Sequence, residues 1–208
     1  MMATAELLEG TKVLMVLAHC DDELVCGWPI LQDPTIHKQL LIVSSDEDNQ
    51  ERRWCGHRRH VTMDLCKLLG IEARVLSHDS DFYRLDHRSG QLANLEEGVL
   101  KAIDGFSFDY LFTHNPHGEY GHSDHKLLSS LLLRATRSPL IISDIHYRAD
   151  WTRVDPVSPL YAETFYRNRI ATVDIDQGFY RKVMRYYETR GAWTWSQDPV
   201  NTANLYRL

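Results

Sequence analysis

Apolar residues in this chain fall into short runs separated by longer stretches of mixed polarity. Lys12 to Ala18 (KVLMVLA) is nearly continuous and apolar, as a strand covered on both faces requires. Gln39 to Ser45 (QLLIVSS), Ala73 to Ser77, Tyr110 to Thr113 and Leu140 to Ile145 (LIISDI) repeat the pattern. Helical stretches lie between these runs. The first starts at the acidic Asp21-Asp22-Glu23 and extends to about Leu31, with Pro29 a point where it can shorten. The others are Glu51 to Leu69, stopped by Gly70, then Leu92 to Ile103, and Ser123 to Arg137 with Ser123 as candidate N-cap. Asp46 to Gln50, His78 to Gly90 and His114 to Gly121 read as loops, the last punctuated by Pro116, Gly118 and Gly121. Further on, Thr164 to Ile175 reads as one or two strands and Gln177 to Thr189 as a helix. The tail with Trp193 and Trp195 resists assignment.

Strands alternating with helices predict an α/β fold, Rossmann-like and three-layered, with a mostly parallel sheet. The 208 residues carry no repeat, low-complexity tract or linker, so residues 1–208 read as one domain. Open sheets of this kind bind ligands outside the carboxyl ends of their strands, where strand order reverses. In the common order the first and fourth strands flank that point. The polar segments after them, Ala18 to Glu23 and Asn115 to His125, should then face each other across the active site.

Composition narrows the partners. The net charge of -6, from 29 acidic and 23 basic residues, argues against nucleic acid. The local patch Arg52, Arg53, Arg58 and Arg59 reads as a solvated helix face. No apolar run is long enough to span a bilayer, and the acidic start lacks a basic leader, so a cytoplasmic protein is expected. Cys20, Cys26, Cys55 and Cys66 form no C-x-x-C pair and read as free thiols, mostly core fillers. Histidine is the unusual residue, with 11 copies.

The two facing segments hold metal-ligand chemistry. His19 and Asp22 lie across a strand-to-helix turn, and His122 and His125 share the face of a helix start. Two imidazoles and one carboxylate with an open position suit catalytic zinc, and the same set suits Fe2+. Asp21, beside a ligand, is then placed to take a proton from water. Whichever of His122 and His125 is not a ligand can stabilise an oxyanion, and Asp124 between them can hold an imidazole in one tautomer. Each half has a bland reading alone, as helix capping or a surface histidine pair. The coincidence of both at facing strand ends favours a site. His57, His60, His78, His87 and His146 have no such partners and read as non-catalytic, while His114 and His117 stay open. No G-x-G-x-x-G follows the first strand, which argues against dinucleotide binding.

The A-H-x-D-D-E segment with the later G-H-x-D-H segment resembles the PIG-L/LmbE-like zinc de-N-acetylases, over roughly the first 145 residues. The resemblance implies one Zn2+ on His19, Asp22 and His125, with Asp21 as general base. It implies His122 as oxyanion stabiliser and acid, and Asp124 as the residue that tunes it. It also implies a small-molecule N-acylated substrate of the N-acetylglucosamine type, with Arg58, Asp46 and Tyr120 near it. Tyr120, Trp54 and Trp28 offer ring faces for a sugar, although Trp28, in the first helix, also fits core packing. The chain departs from the family in carrying Cys20 where proline is usual, and in the acidic loop Ser45 to Asn49. The family's Ser-Gln element is not evident after Arg181 to Arg190. The same metal set would serve a hydrolase of another bond, such as a thiol-conjugate amidase or a phosphoesterase, or a non-catalytic metal-binding homologue. A homo-oligomer is compatible with all of these.

Overall fold

The computed structural model describes residues 8–45, 55–86, 88–145, 167–192 and 200–208. Asp46, the rest of the Asp46–Gln50 loop, Trp54, His87, His146, Trp193 and Trp195 lie outside the described residues. The strands are β1 (Lys12–Leu17), β2 (His37–Ser44), β3 (Glu72–His78), β4 (Tyr110–Phe112), β5 (Leu140–Ser143), β6 (Arg169–Asp174) and β7 (Thr202–Arg207). The helices are α1 (Asp22–Val25), α2 (Trp28–Leu31), α3 (Cys55–Leu68), α4 (Gln91–Ile103), α5 (Ser123–Ala135) and α6 (Gln177–Glu188). Among the described residues one seven-stranded sheet runs in the order β3-β2-β1-β4-β5-β7-β6. Neighbours from β3 through β5 pair in parallel, and β7 is antiparallel to both β5 and β6. β1 lies between β2 and β4, so strand order reverses beside it, at the predicted switch point.

β1 explains the layering. Val13, Met15 and Leu17 pack on one side with Trp28, Ile30, Val61, Leu65, Tyr180 and Val183. Leu14, Val16 and Ala18 pack on the other with Leu95, Val99, Leu128, Leu131 and Leu132. A strand buried on both faces needs an unbroken apolar run, which is why β1 stands out in the sequence.

Several elements differ from the sequence expectation. The helix expected from Asp21 to Leu31 is two short helices broken at Cys26 and Gly27. A side chain at Gly27 would come within 3.1 Å of the Glu23 Cα and 3.3 Å of the Met15 sulfur, so the backbone there lies tight against its neighbours. Pro29 sits in the first turn of α2, where its missing N–H costs nothing. His122, not Ser123, caps α5: its Nδ1 accepts the Asp124 N–H at 3.2 Å. The loop from His78 to Gly90 contains a 3-10 turn, Phe82–Arg84. β7 comes from the unassigned tail. Trp28 is fully buried, with ring centroids 4.9 Å from Tyr180 and 5.1 Å from Phe179, so it is core and not a sugar platform. No helix among the described residues is long and apolar enough to cross a membrane.

Candidate metal centre

β1 and β4 are paired, Val13 to Tyr110 through Met15 to Phe112. The chain leaving β1 enters His19 to Asp22, and the chain leaving β4 reaches the start of α5. His19 Nδ1 and His125 Nε2 are 3.3 Å apart, His125 Nε2 and Asp22 Oδ1 3.3 Å, and His19 Nδ1 and Asp22 Oδ2 3.4 Å. Ligands about 2.0–2.1 Å from a tetrahedral ion lie about 3.3–3.4 Å from one another, and these contacts have that spacing, with Asp22 meeting His125 through Oδ1 and His19 through Oδ2; Asp22 also gathers with His114 and His125 within 4.8 Å. His19, Asp22 and His125 are all buried. Burial opposes ionisation of Asp22, but the imidazoles of His125 and His114 outweigh it and hold the carboxyl well below its ordinary value. His122 also falls within reach: donor atoms of His19, His122 and His125 gather within 4.8 Å of one another.

Asp21 stands outside the triangle. It adopts a left-handed conformation (φ 92) and gives its N–H to Glu23 Oε2 at 3.1 Å. Its carboxylate accepts from Arg58 Nη1 at 3.1 Å. His122 is half-buried, with ring centroids 4.8 Å from His19 and 4.5 Å from His125. Burial and the imidazoles of His125 and His19 push its own imidazole down to about 3. Tyr120 is edge-on to His122 and His125, at 5.8 and 5.7 Å.

Asp124 is placed otherwise than the resemblance implies. Its carboxylate accepts from His19 Nε2 at 3.0 Å and from the Asp81 and Tyr83 N–H groups at 2.8 Å each. His122 receives only the backbone N–H of Asp124 among these contacts. The imidazole that Asp124 holds is thus that of His19, across the crevice. Positions two apart at a helix start do not face each other, which separates the Asp124 side chain from that of the N-cap His122.

Glu119, Glu23 and Tyr187 escaped the sequence reading, and His114 was given no role there. Glu119 is fully buried and bonds both His125 Nδ1 (2.6 Å) and His114 Nδ1 (3.1 Å). Burial works against its charge, but the imidazole of His114 and hydrogen bonds from His114 and His125 hold it at about 2. His114, left open before, is fully buried and accepts the Ala18 N–H at 2.9 Å. Glu23 lies under Asp21, receives the Tyr187 hydroxyl, and is pushed by burial up to about 8. An acidic residue inside the glycine-bracketed histidine loop was the available signal for Glu119. Tyr187, far off in α6, offered none. Cys20, Cys26 and Cys66 are buried in the core as expected, and Cys26 Sγ also lies 3.4 Å from His114 Nδ1.

The turn that delivers these groups depends on Gly118 (φ 68). A Cβ there would meet the His122 carbonyl oxygen at 2.5 Å. Gly118→Ala should combine a disfavoured backbone with a backbone clash and cost about 2–4 kcal/mol. Urea unfolding measures this, and a loss under about 1 kcal/mol would show the turn to be compliant.

No family model matches the chain. An uncharacterized protein of Acanthamoeba polyphaga mimivirus is 28% identical over 127 residues, which are 57% of this chain and 55% of that protein. The chain thus spans about half the length of the curated relative it matches. Among solved structures, the A40926 pseudoaglycone deacetylase Dbv21 superposes with a TM-score of 0.63 at 15% identity, covering 96% of this chain and 98% of that one. The zinc inhibited form of the teicoplanin deacetylase Orf2 gives 0.63 at 11% identity, over 95% and 97% of the two chains. This chain therefore has the fold of these deacetylases, with its cluster of imidazoles and carboxylates at the carboxyl ends of β1 and β4.

Proposed function

We propose that this chain is a zinc-dependent de-N-acetylase of an amino-sugar-type substrate. The observation that carries the reading is the His19, Asp22 and His125 donor triangle with the Asp21 carboxylate beside it and outside it. The deacetylase fold of the solved neighbours supports it. A divalent ion held by these three side chains supplies Lewis acidity to a water and an amide carbonyl.

The protein's own residues do the rest. Asp21 accepts the proton of the attacking water, and Arg58 holds its carboxylate in place. His122 Nδ1 already accepts a backbone N–H, so the neutral ring carries its proton on Nε2. That proton is a donor for the developing oxyanion. A neutral donor has no second proton to give, so in this reading Asp21 returns the proton to the leaving nitrogen. Tyr120 walls the same side of the site and presents a ring to the substrate.

The purified protein should carry one zinc per chain by elemental analysis. Chelation should abolish release of free amine from N-acetylglucosamine conjugates, and zinc should restore it. His125→Ala should weaken zinc binding by at least about 100-fold, since it removes a ligand outright. Activity that survives chelation sinks the metal reading. Activity on non-sugar N-acyl amides alone sinks the substrate reading.

A further inference from the structure

Glu119 lies beneath the donor triangle, in the turn that precedes α5. Its Oε1 accepts the Asn115 N–H at 3.0 Å, and its Oε2 faces two imidazole nitrogens, His125 Nδ1 and His114 Nδ1. The protons on those nitrogens can be assigned. His114 Nε2 accepts the Ala18 N–H, so a neutral His114 carries its proton on Nδ1, toward Glu119. A carboxylate has no proton to offer, so His125 Nδ1 must be the donor in the 2.6 Å contact. A neutral imidazole has one N–H. His125 Nε2 is then a bare lone pair, and it is the atom facing His19 Nδ1 and Asp22.

We propose that Glu119 is a positioning residue that locks His125 in its Nδ1–H form and aims Nε2 at the metal. Through the same oxygen it orients His114, whose ring stacks behind that of His125 at 3.8 Å and 18°. The inference rests on the metal reading given above. It also accounts for a third gathering of donors, Cys26, His114 and Glu119, within 4.8 Å. Cys26 Sγ gives its proton to the Asp22 carbonyl, His114 Nδ1 gives its own to Glu119, and all three side chains are fully buried. These atoms serve one another as a support, and the centre takes one ion, not two.

Two variants test this in the full chain. Glu119→Ala removes both acceptors, and Glu119→Gln keeps the volume but replaces one carboxylate oxygen with a donor. Zinc affinity is read by chelator competition, and the His125 tautomer by nitrogen-resolved NMR of the zinc-free protein. Circular dichroism confirms folding, and if the alanine variant does not fold the glutamine variant decides. Zinc affinity should fall about 10- to 100-fold in the folded variants, and His125 should lose its fixed Nδ1–H state. If both measurements match wild type while His125→Ala loses zinc, the role of Glu119 is overturned and the metal site stands. If wild type takes up no zinc, the metal reading itself fails, and this inference with it. Two zinc ions per chain, one of them lost in Cys26→Ala, would overturn the single-ion assignment.

Discussion

Asp21→Asn should lower kcat by about 100- to 10,000-fold while the zinc content stays at the wild-type level. Asparagine fills the same space and can still accept from Arg58, but it cannot take a proton from water. The carboxylate is unusually well placed for a base. It stands next to Asp22, the proposed ligand, is held by Arg58 at 3.1 Å, and belongs to a residue whose φ of 92 few side chains adopt. Strain of that kind is retained where the surrounding structure fixes it, here through the Asp21 N–H bond to Glu23. Metal content and turnover must be measured on one preparation. Loss of zinc in Asp21→Asn would make Asp21 a ligand. Unchanged turnover would move the base elsewhere.

The largest stability effect should come from Trp28→Ala, at about 3–5 kcal/mol. Trp28 is among the largest fully buried side chains and joins α2 to α6 through Tyr180 and Phe179. Truncation leaves a void bounded by the sheet and two helices, which cannot all collapse inward. Trp28→Phe should recover much of the loss. Urea unfolding measures both, and the substrate KM of whatever remains folded should not change. A variant with wild-type stability and a raised KM would return Trp28 to the substrate side.

Legibility in the sequence followed the range of the interactions. β1, β2 and β5 could be read because both their faces are buried, which demands an apolar run. β7 (TANLYR) shows only partial alternation and takes its place from pairing with β5 and β6. The break between α1 and α2 is imposed by the close approach of Gly27 to Glu23 and Met15, a tertiary contact. The candidate site divides in the same way. His19, Asp21, Asp22, His122 and His125 were visible from residue type and spacing beside strand ends. Glu119 and Glu23 were not, because a carboxylate gains such a role only when burial and a specific partner are both present. Asp124 shows the limit: its place in the chain left open which imidazole it holds, the family resemblance pointed to His122, and its side chain reaches His19.

The placement of β7 bears on the order of events during synthesis. β6 is hydrogen-bonded into the sheet through β7, and β7 bridges it to β5. Residues 169–174 leave the ribosome before residues 202–207, so β6 must wait without its partner while β1 to β5 can already assemble. Until then β5 offers a bare edge to any neighbouring nascent chain. Stalling or truncation just before residue 200 would leave the β1–β4 crevice and its imidazoles built on an unfinished, aggregation-prone sheet.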